Sequence, residues 1–570
     1  MLLGYIITLV TVSAFALLLA FIYASRKALR EVLSEGINRY SVAGLVLILV
    51  FFTVFALLLV HPVEQLYFDE NIYQGIALNI LHSGNALWCQ YGTGYLGTCF
   101  VNQLYHDIVG YDVFIAIAFA IFGSNAQTAY ALELLVGGLS IIGVFLLASV
   151  LTRRREVPVF SALVFSMIPE LFIWSRTQAV PDMPFMMLTV FTAFFFVVLA
   201  KRPRNGTLAM FLMSLVLVLY TRTEGLLLLP AFALLYFLLG KDGIRKTLRD
   251  KLALLKVGLS EPASLVLVLL FVFMLLPVLY YSITELRAPS YGNSSSQSLF
   301  SLANAQQNLP ANLQFITAIS NTVYPEISSV NLVPLAVAGA AALLFFTSKR
   351  NRFGVLAFLG VLTVSYLLFY PFFYAGSYNY GVDVRFVLQT LPFLAVFAGF
   401  GIFGIGTAIH YLISKKAKRR VNAIKYSIYA VLVVALVAYP FTVYSPLITI
   451  PPGQMPQESY PNNATSFFYS NYNAVPSNCL VFSFTPDLWY QYGRSAAQIG
   501  YISGANQSIT ESFKSYSCYV LDYGYWCTVP PYQDTVCKNA ISAYNLSVLA
   551  SQPNSHGSSF AFYRLVNYSP

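Results

Sequence analysis

Charge is what this sequence has least of. Only 10% of its 570 residues are Asp, Glu, Lys or Arg, against 58% hydrophobic ones, which excludes the profile of a water-soluble globular chain. Histidine is scarce as well. Of the five present, His61, His82 and His106 share one region, yet no HxH or HxxxH pair exists to hold a metal. The six cysteines contain no CxxC pair, so zinc ligation lacks its usual spacing. No fixed period recurs, which excludes a solenoid. The N-terminal run has no basic region and no small-residue cleavage site, so it reads as a retained helix, not a signal peptide.

What is present is apolar length. A bilayer-crossing helix needs about 20 apolar residues, and such runs recur throughout. Spans are expected near 3–24, 41–61, 126–151, 157–174, 184–200, 207–221, 225–240, 257–281, 331–347, 354–374, 385–412 and 426–446. The net charge of +10 does not point to nucleic acid, because the basic residues lie in short loops between spans. Arg26, Lys27, Arg30 and Arg39, Arg153–Arg155, Lys201, Arg202 and Arg204 occupy three alternate loops. The clusters at 241–256, 349–352 and 415–425 occupy three more. Together they hold 25 of the 33 basic residues, which predicts that these loops are cytoplasmic and both termini are outside. All six cysteines, Cys89, Cys99, Cys479, Cys518, Cys527 and Cys537, then fall outside and are disulfide candidates in an oxidising compartment. So do the N-x-Ser/Thr sequons at Asn293, Asn463, Asn506, Asn545 and Asn567.

The predicted architecture is a polytopic α-helical membrane protein of about twelve transmembrane helices with a small C-terminal extracytoplasmic α/β domain. It divides into an extra N-terminal helix and loop (1–40), a transmembrane catalytic region (41–446) and the terminal domain (447–570). Long external loops are expected at 62–125 and 282–330. The first includes an apolar stretch, 112–122, too short to span, which reads as an interfacial helix. The second begins SYGNSSSQS and continues NAQQNLPANLQ, a composition that fits either a lid or a linker.

The chain is organised around 61–84, HPVEQLYFDENIYQGIALNILHSG. Asp69 and Glu70 precede apolar residues at helical spacing, Ile72, Ile76 and Ile80, and Gly84 stands where a helix would stop. The acids therefore lie at a helix start, where negative charge is favoured, with Tyr73 on the face of Asp69. A plain N-cap is the structural alternative. Three further groups carry charge at the same membrane face. RTQAVPDMP holds Arg176 and Asp182, TRTEG holds Arg222 and Glu224, and YNYGVDVR holds Asp383 and Arg385. Charges there are costly. A layer of acids and arginines on an apolar bundle suits a substrate that is part lipid and part phosphate, which arginine binds well. Asp182 as a cap, an isolated Arg222–Glu224 pair and a snorkelling Arg385 are the simpler structural readings. Glu133 and Glu170 read as structural.

DENIY at 69–73 resembles the DExxY signature of polyprenyl-phosphate-sugar-dependent membrane glycosyltransferases of the GT-C fold, in the branch of protein O-mannosyltransferases and lipid A aminoarabinose transferases. Tyr105–His106 with Phe122–Gly123–Ser124, RTQAVPDMP, TRTEGLLLLP and DVRFVLQTLPFLAVFAG resemble later motifs of that branch, in order. The sequence departs from it at Asp107–Ile108, where the family has two prolines, at Tyr130, where it has an arginine, and at Phe386, where it has tyrosine. The resemblance implies an inverting transfer from a polyprenyl (dolichyl or undecaprenyl) phosphate sugar to a protein, lipid or glycan hydroxyl. Asp69 would act as base, Glu70 would hold sugar or acceptor, and Asp182 would orient Arg176 or a sugar hydroxyl. Arg222 and Arg385 would hold the phosphate, with Tyr73, His106, Arg176, Glu224 and Asp383 as further substrate-binding residues. No cofactor is required by this scheme, and the ligand spacing gives no support for a divalent cation. An oligosaccharyltransferase is the enzymatic alternative, since LDYGYW at 521–526 resembles its WWDYG motif without the two tryptophans. A transporter or a receptor-like protein are the non-enzymatic ones; the first lacks matching broken helices in two halves.

The topology is testable on cysteine reporters. Impermeant labelling from outside is expected to reach a reporter within 447–570 and to miss one within 241–256; the reverse pattern would turn all four charged groups to the cytoplasm.

Overall fold

The computed structural model describes residues 2–60, 68–89, 92–94, 98–100, 104–105, 108–177, 179–239, 261–287, 300–317, 333–346, 349–373, 376–377, 385–414, 427–431, 433–434, 438, 456–503, 507–528, 535–554 and 557–570. Among these, seven helices are long and apolar enough to cross a membrane: Leu2–Ala24, Arg39–Leu58, Ala126–Leu151, Asp182–Lys201, Pro262–Thr284, Gly354–Phe372 and Leu391–Leu412. An eighth is formed if Glu156–Ser166 and Glu170–Arg176, bent by 69°, make one broken span. The chain is thus an integral membrane protein, but the count of twelve is not seen.

The differences have local causes. Pro169 opens the second half of the bent pair; a proline has no N–H to continue the helix before it and is favoured in a first turn. Asn205–Thr221 is apolar but only 17 residues long, while Val333–Phe346 and Leu228–Leu239 border residues outside the described ones. Most of 426–446 lies outside the described residues. Where helix starts are sharp, asparagine sets them. Asn38 caps Arg39–Leu59 by accepting from the Ser41 N–H at 2.8 Å. Asn125 caps Ala126–Leu151 by accepting from the Thr128 N–H at 2.9 Å. Each satisfies an orphan N–H of the first turn.

Burial ranks the helices. Asp182–Lys201 and Leu391–Leu412 are the most enclosed, whereas Leu2–Ala24, Arg39–Leu58 and Pro262–Thr284 present most of their surface outward. Leu47, Leu58, Val266 and Phe273 are among the exposed apolar side chains of those outer helices, as a lipid-facing surface requires. The first long loop contributes the helix Phe68–Ser83, which ends at Gly84 with φ +72°, and the helix Gly110–Phe122. In the second long loop, SYGNSSSQS lies outside the described residues. NAQQNLPANLQ forms part of the helix Leu302–Thr317. That helix is fastened to 370–376 by side-chain amides. Asn308 donates to the Pro371 and Phe373 carbonyls at 3.0 and 2.8 Å, and Asn312 to the Gly376 carbonyl at 2.8 Å.

The C-terminal segment builds five strands of a six-stranded mixed sheet. Its strands are β1 (Gly92–Thr93), β2 (Cys479–Ser483), β3 (Ser495–Gln498), β4 (Cys518–Tyr523), β5 (Leu546–Pro553) and β6 (Ser559–Leu565), in the order β1-β3-β2-β4-β6-β5. Strands β3, β2 and β4 run parallel, while β6 pairs antiparallel with β4 and β5. Apolar clusters cover both faces, one with Phe468, Trp489 and Phe562, the other with Phe482, Phe513 and Leu521. Disulfides Cys479–Cys518 and Cys527–Cys537 fasten this unit. The first of them joins register partners of β2 and β4.

Strand β1 does not come from the C-terminal segment. It belongs to the first long loop and pairs antiparallel with β3, Gly92 opposite Ala497 and Thr93 opposite Ala496. The Cys89–Cys99 disulfide closes its hairpin. Gly92 has φ +106°, and a Cβ there would strike the Ala496 carbonyl oxygen. Gly493 also has positive φ, +67°, but faces open space. Gly92→Ala is therefore expected to lower the melting temperature more than Gly493→Ala, because both carry the backbone cost of about 1–3 kcal/mol and only the first also breaks strand pairing. Equal shifts in thermal melts would mean that β1 contributes nothing to stability.

Candidate active site

The two loop acids have separate environments. The helix begins at Phe68, so Asp69 sits inside its first turn and not at the preceding cap position. Asp69 is partly exposed, and the Tyr105 hydroxyl donates to its Oδ1 at 2.9 Å. Glu70 is buried, with Oε2 accepting from the Tyr130 hydroxyl at 2.8 Å. A carboxylate held through one oxygen and open to solvent keeps lone pairs for an incoming proton; a buried one is suited to fixed contacts. Tyr73 is buried and packs edge-on against Tyr105 and Tyr111, with ring centroids 5.6 and 6.0 Å apart. The Tyr111 hydroxyl donates to Glu133.

The second and third charged groups meet the fourth at Asp182. This residue is fully buried at the first turn of the most enclosed helix. Arg222 leaves the end of Asn205–Thr221 and donates to Asp182 Oδ1 at 2.6 Å and to Glu224 Oε1 at 2.6 Å. Arg385 approaches Asp182 Oδ2 at 3.8 Å. The Phe386 ring lies 5.5 Å from the Arg222 guanidinium and 5.3 Å from that of Arg385. It also stacks on Tyr370, with centroids 4.7 Å apart. Two arginines thus share two carboxylates around one aromatic ring, an arrangement that stabilises cations away from water. Of the two partners expected for Asp182, Arg176 or a sugar hydroxyl, the arginine is not the one found; Arg222 and Arg385 are. Arg176 is half-buried, and its Nε donates instead to the Val60 carbonyl at 3.4 Å. His106 and Asp383 lie outside the described residues.

Several contributors escaped the sequence reading. Glu133, read as structural, accepts from the Tyr111 hydroxyl, beside the ring of Tyr73. Tyr130, which departs from the family pattern, is the donor to Glu70. Glu133 and Tyr130 lie three residues apart on Ala126–Leu151, a spacing that puts both on one face. Among the described residues, no three His, Cys, Asp or Glu side chains gather as metal ligands.

The loop helix is also clasped by the C-terminal unit. A Cβ at Gly75 would collide with the Asp487 carboxyl, so only glycine allows helix Pro486–Gln491 to lie this close. Gln491 Nε2 donates to Gln74 Oε1 at 2.8 Å, and His82 Nδ1 is 2.8 Å from the Tyr490 hydroxyl. The Trp88 indole N–H donates to Asp487 Oδ2 at 3.4 Å. Burial pushes Asp487 up to about 8 from the ordinary 3.8, against the Trp88 hydrogen bond, which pulls it down.

Residues 109–281 match a family model described as dolichyl-phosphate-mannose-protein mannosyltransferase. No curated protein matches the sequence. Among solved structures, the fold is similar to the oligosaccharyltransferase of Archaeoglobus fulgidus in the apo form, at 12% identity and TM-score 0.53, over 90% of this chain and 73% of that one. It is similar to ArnT from Cupriavidus metallidurans in the apo state, at 13% identity and TM-score 0.52, over 92% and 97%. It is similar as well to the archaeal oligosaccharyltransferase AglB in complex with an inhibitory peptide and a dolichol-phosphate, also from A. fulgidus, at 11% identity and TM-score 0.51, over 92% and 74%. The family match covers residues 109–281, and the solved structures share the fold.

The clasp has a pH signature. The folded state holds the Asp487 proton more tightly than the unfolded chain. The stability this group contributes is therefore full below about pH 4 and is lost as pH rises to about 8. Asp487→Asn removes that slope. Purified Asp487→Asn is expected to melt with wild type at pH 4 and above it at pH 8; a wild-type advantage at pH 8 would mean the carboxylate is charged in the fold.

Proposed function

We propose that the chain transfers a sugar, with inversion, from a polyprenyl phosphate to a hydroxyl acceptor at the extracytoplasmic membrane face. The observation that carries this reading is the division of labour among its charges. One partly exposed carboxylate, Asp69, is held by a single hydroxyl, while a paired-arginine cluster sits in the same bundle. The family match over 109–281 and the dolichol-phosphate complex of a protein with this fold support a lipid-phosphate donor.

In this reading the acceptor oxygen attacks the anomeric carbon as Asp69 takes its proton. The bond from that carbon to the phosphate oxygen breaks, and the polyprenyl phosphate leaves with the electron pair. The transition state has oxocarbenium character, which a nearby carboxylate stabilises, and Glu70 serves there with its orientation fixed by Tyr130. The departing phosphate needs a cation. Arg222 already spends its short contacts on Asp182 and Glu224, so its main work is to fix the cluster. Arg385, more exposed and with the longer ionic contact, takes the phosphate.

The two arginines separate in experiment. Arg385→Ala is expected to keep the fold and weaken donor use by about 1.5–3 kcal/mol, with Lys rescuing only part of the loss. Arg222→Ala leaves the fully buried Asp182 with only the longer Arg385 contact and is expected to cost about 3–5 kcal/mol of stability. Wild-type donor affinity in Arg385→Ala would remove Arg385 from the phosphate site.

Asp69→Asn is the direct test of the base. A general base contributes about 10²–10⁴-fold, so Asp69→Asn is expected to fold, to bind a purified polyprenyl-phosphate sugar, and to transfer at least about 100-fold more slowly. Glu70→Gln is expected to lose less, and Tyr73→Phe less again. Turnover of Asp69→Asn near the wild-type rate would move the base to another carboxylate, with Glu224 or Asp182 next.

A further inference from the structure

The C-terminal unit touches the loop that carries Asp69 through a continuous set of contacts. Asp487, on helix Pro486–Gln491, is wedged against Gly75 and accepts from the Trp88 indole N–H. The Trp88 ring meets the Tyr105 ring edge-on, with centroids 5.2 Å apart. Tyr105 is buried. Its hydroxyl donates to Asp69 Oδ1 at 2.9 Å, and its backbone carbonyl accepts from the Tyr281 hydroxyl. Tyr105 is thereby held on the C-terminal side by Trp88 and on the membrane side by Tyr281, and its one polar tip ends on Asp69. The hairpin that follows Trp88 is anchored in the same direction, because β1 is an edge strand of the C-terminal sheet and is closed by Cys89–Cys99.

We infer that the C-terminal unit sets the position of the Asp69 carboxylate, through Asp487, Trp88 and Tyr105. The inference rests on the reading of Asp69 as the base. The three are positioning residues: none is the proton acceptor, and each acts by fixing the next. An apolar floor makes the device stiff, since Ile72, Ile76 and Ala77 of the Asp69 helix are fully or nearly fully buried beneath it. Small displacements at such a carboxylate are expensive in rate. A misplacement of about 1 Å in a catalytic constellation costs on the order of 10²-fold, whereas donor binding at the arginine cluster does not depend on it.

The experiment uses the full chain, purified in detergent or nanodiscs, with a polyprenyl-phosphate sugar and an acceptor. Tyr105→Phe, Trp88→Phe, Asp487→Leu and Asp487→Asn are made alone and in an Asp69→Asn background. Tyr105→Phe and Asp487→Leu are expected to lower kcat about 10-fold or more, within that range for misplacement, with the donor KM unchanged. Asp487→Asn, whose carboxamide still accepts from Trp88, is expected to keep wild-type kcat. In the Asp69→Asn background none of them lowers the residual rate further, because the group they position is already gone. Trp88→Phe and Tyr105→Phe retain the packing, so they carry the test if Asp487→Leu does not fold. Equal losses in both backgrounds, or a raised donor KM in place of a lowered kcat, would overturn the positioning role while leaving Asp69 as the base. Wild-type turnover in Asp69→Asn alone would overturn the base itself, and the positioning role with it.

Discussion

A carboxylate with no solvent exposure, Asp182, facing two arginines is the contact on which the rest of the molecule depends. The bare cost of taking such a charge out of water is several kcal/mol, and only short, well-directed partners offset it. That requirement fixes three chain segments relative to one another. Helix Asp182–Lys201 must present its first turn to the end of Asn205–Thr221, and the approach to Leu391–Ser414 must bring Arg385 and Phe386 alongside. Apolar helix faces slide past one another at little cost, whereas ionic contacts of this length do not. The bundle therefore acquires a single register from a handful of charges.

The same economy of charge explains the contrast between the two acids of the first loop. Glu70 and Glu133 are covered, and each is answered by a tyrosine hydroxyl. A phenol suits this task, because its ring packs with the apolar surroundings and its one polar atom meets the carboxylate. Asp69 alone keeps a side open. The neutral partners add no charge, so the loop remains electrically acidic while the arginine cluster beside it is nearly balanced. A sugar cation and a phosphate anion that part from each other would each find a favourable side.

Much of this was legible in the sequence, and the reasons for the rest are specific. The periodic isoleucines and Gly84 marked the loop helix, and its stop at positive φ is observed. Charge rarity pointed to Asp182, Arg222, Glu224 and Arg385, which the fold brings together. Of the two partners expected for Asp182, Arg176 or a sugar hydroxyl, the first is not the arginine it meets, since sequence distance says little about which helix ends meet. The tyrosines differ: Tyr105 and Tyr130 stood out only against the family motifs, and which carboxylate each would meet depends on the packing of segments distant in the chain. The number of spans is not settled by hydropathy, because a run interrupted at Pro169 reads as one crossing or as two short helices.

Strand β1 has a consequence for the order in which the molecule is made. The loop from Trp88 to Phe100 leaves the ribosome some 399 residues before Asp487, its hydrogen-bonding partner, and contacts of such separation close late. Until the final segment has been synthesised, β1 is an edge without a neighbour, and Trp88 has nothing beyond it to lean on. A nascent chain can thus insert its helices and pair its buried charges with the loop still unset. Completion of the polypeptide and completion of the packing around Trp88 and Asp69 become one event.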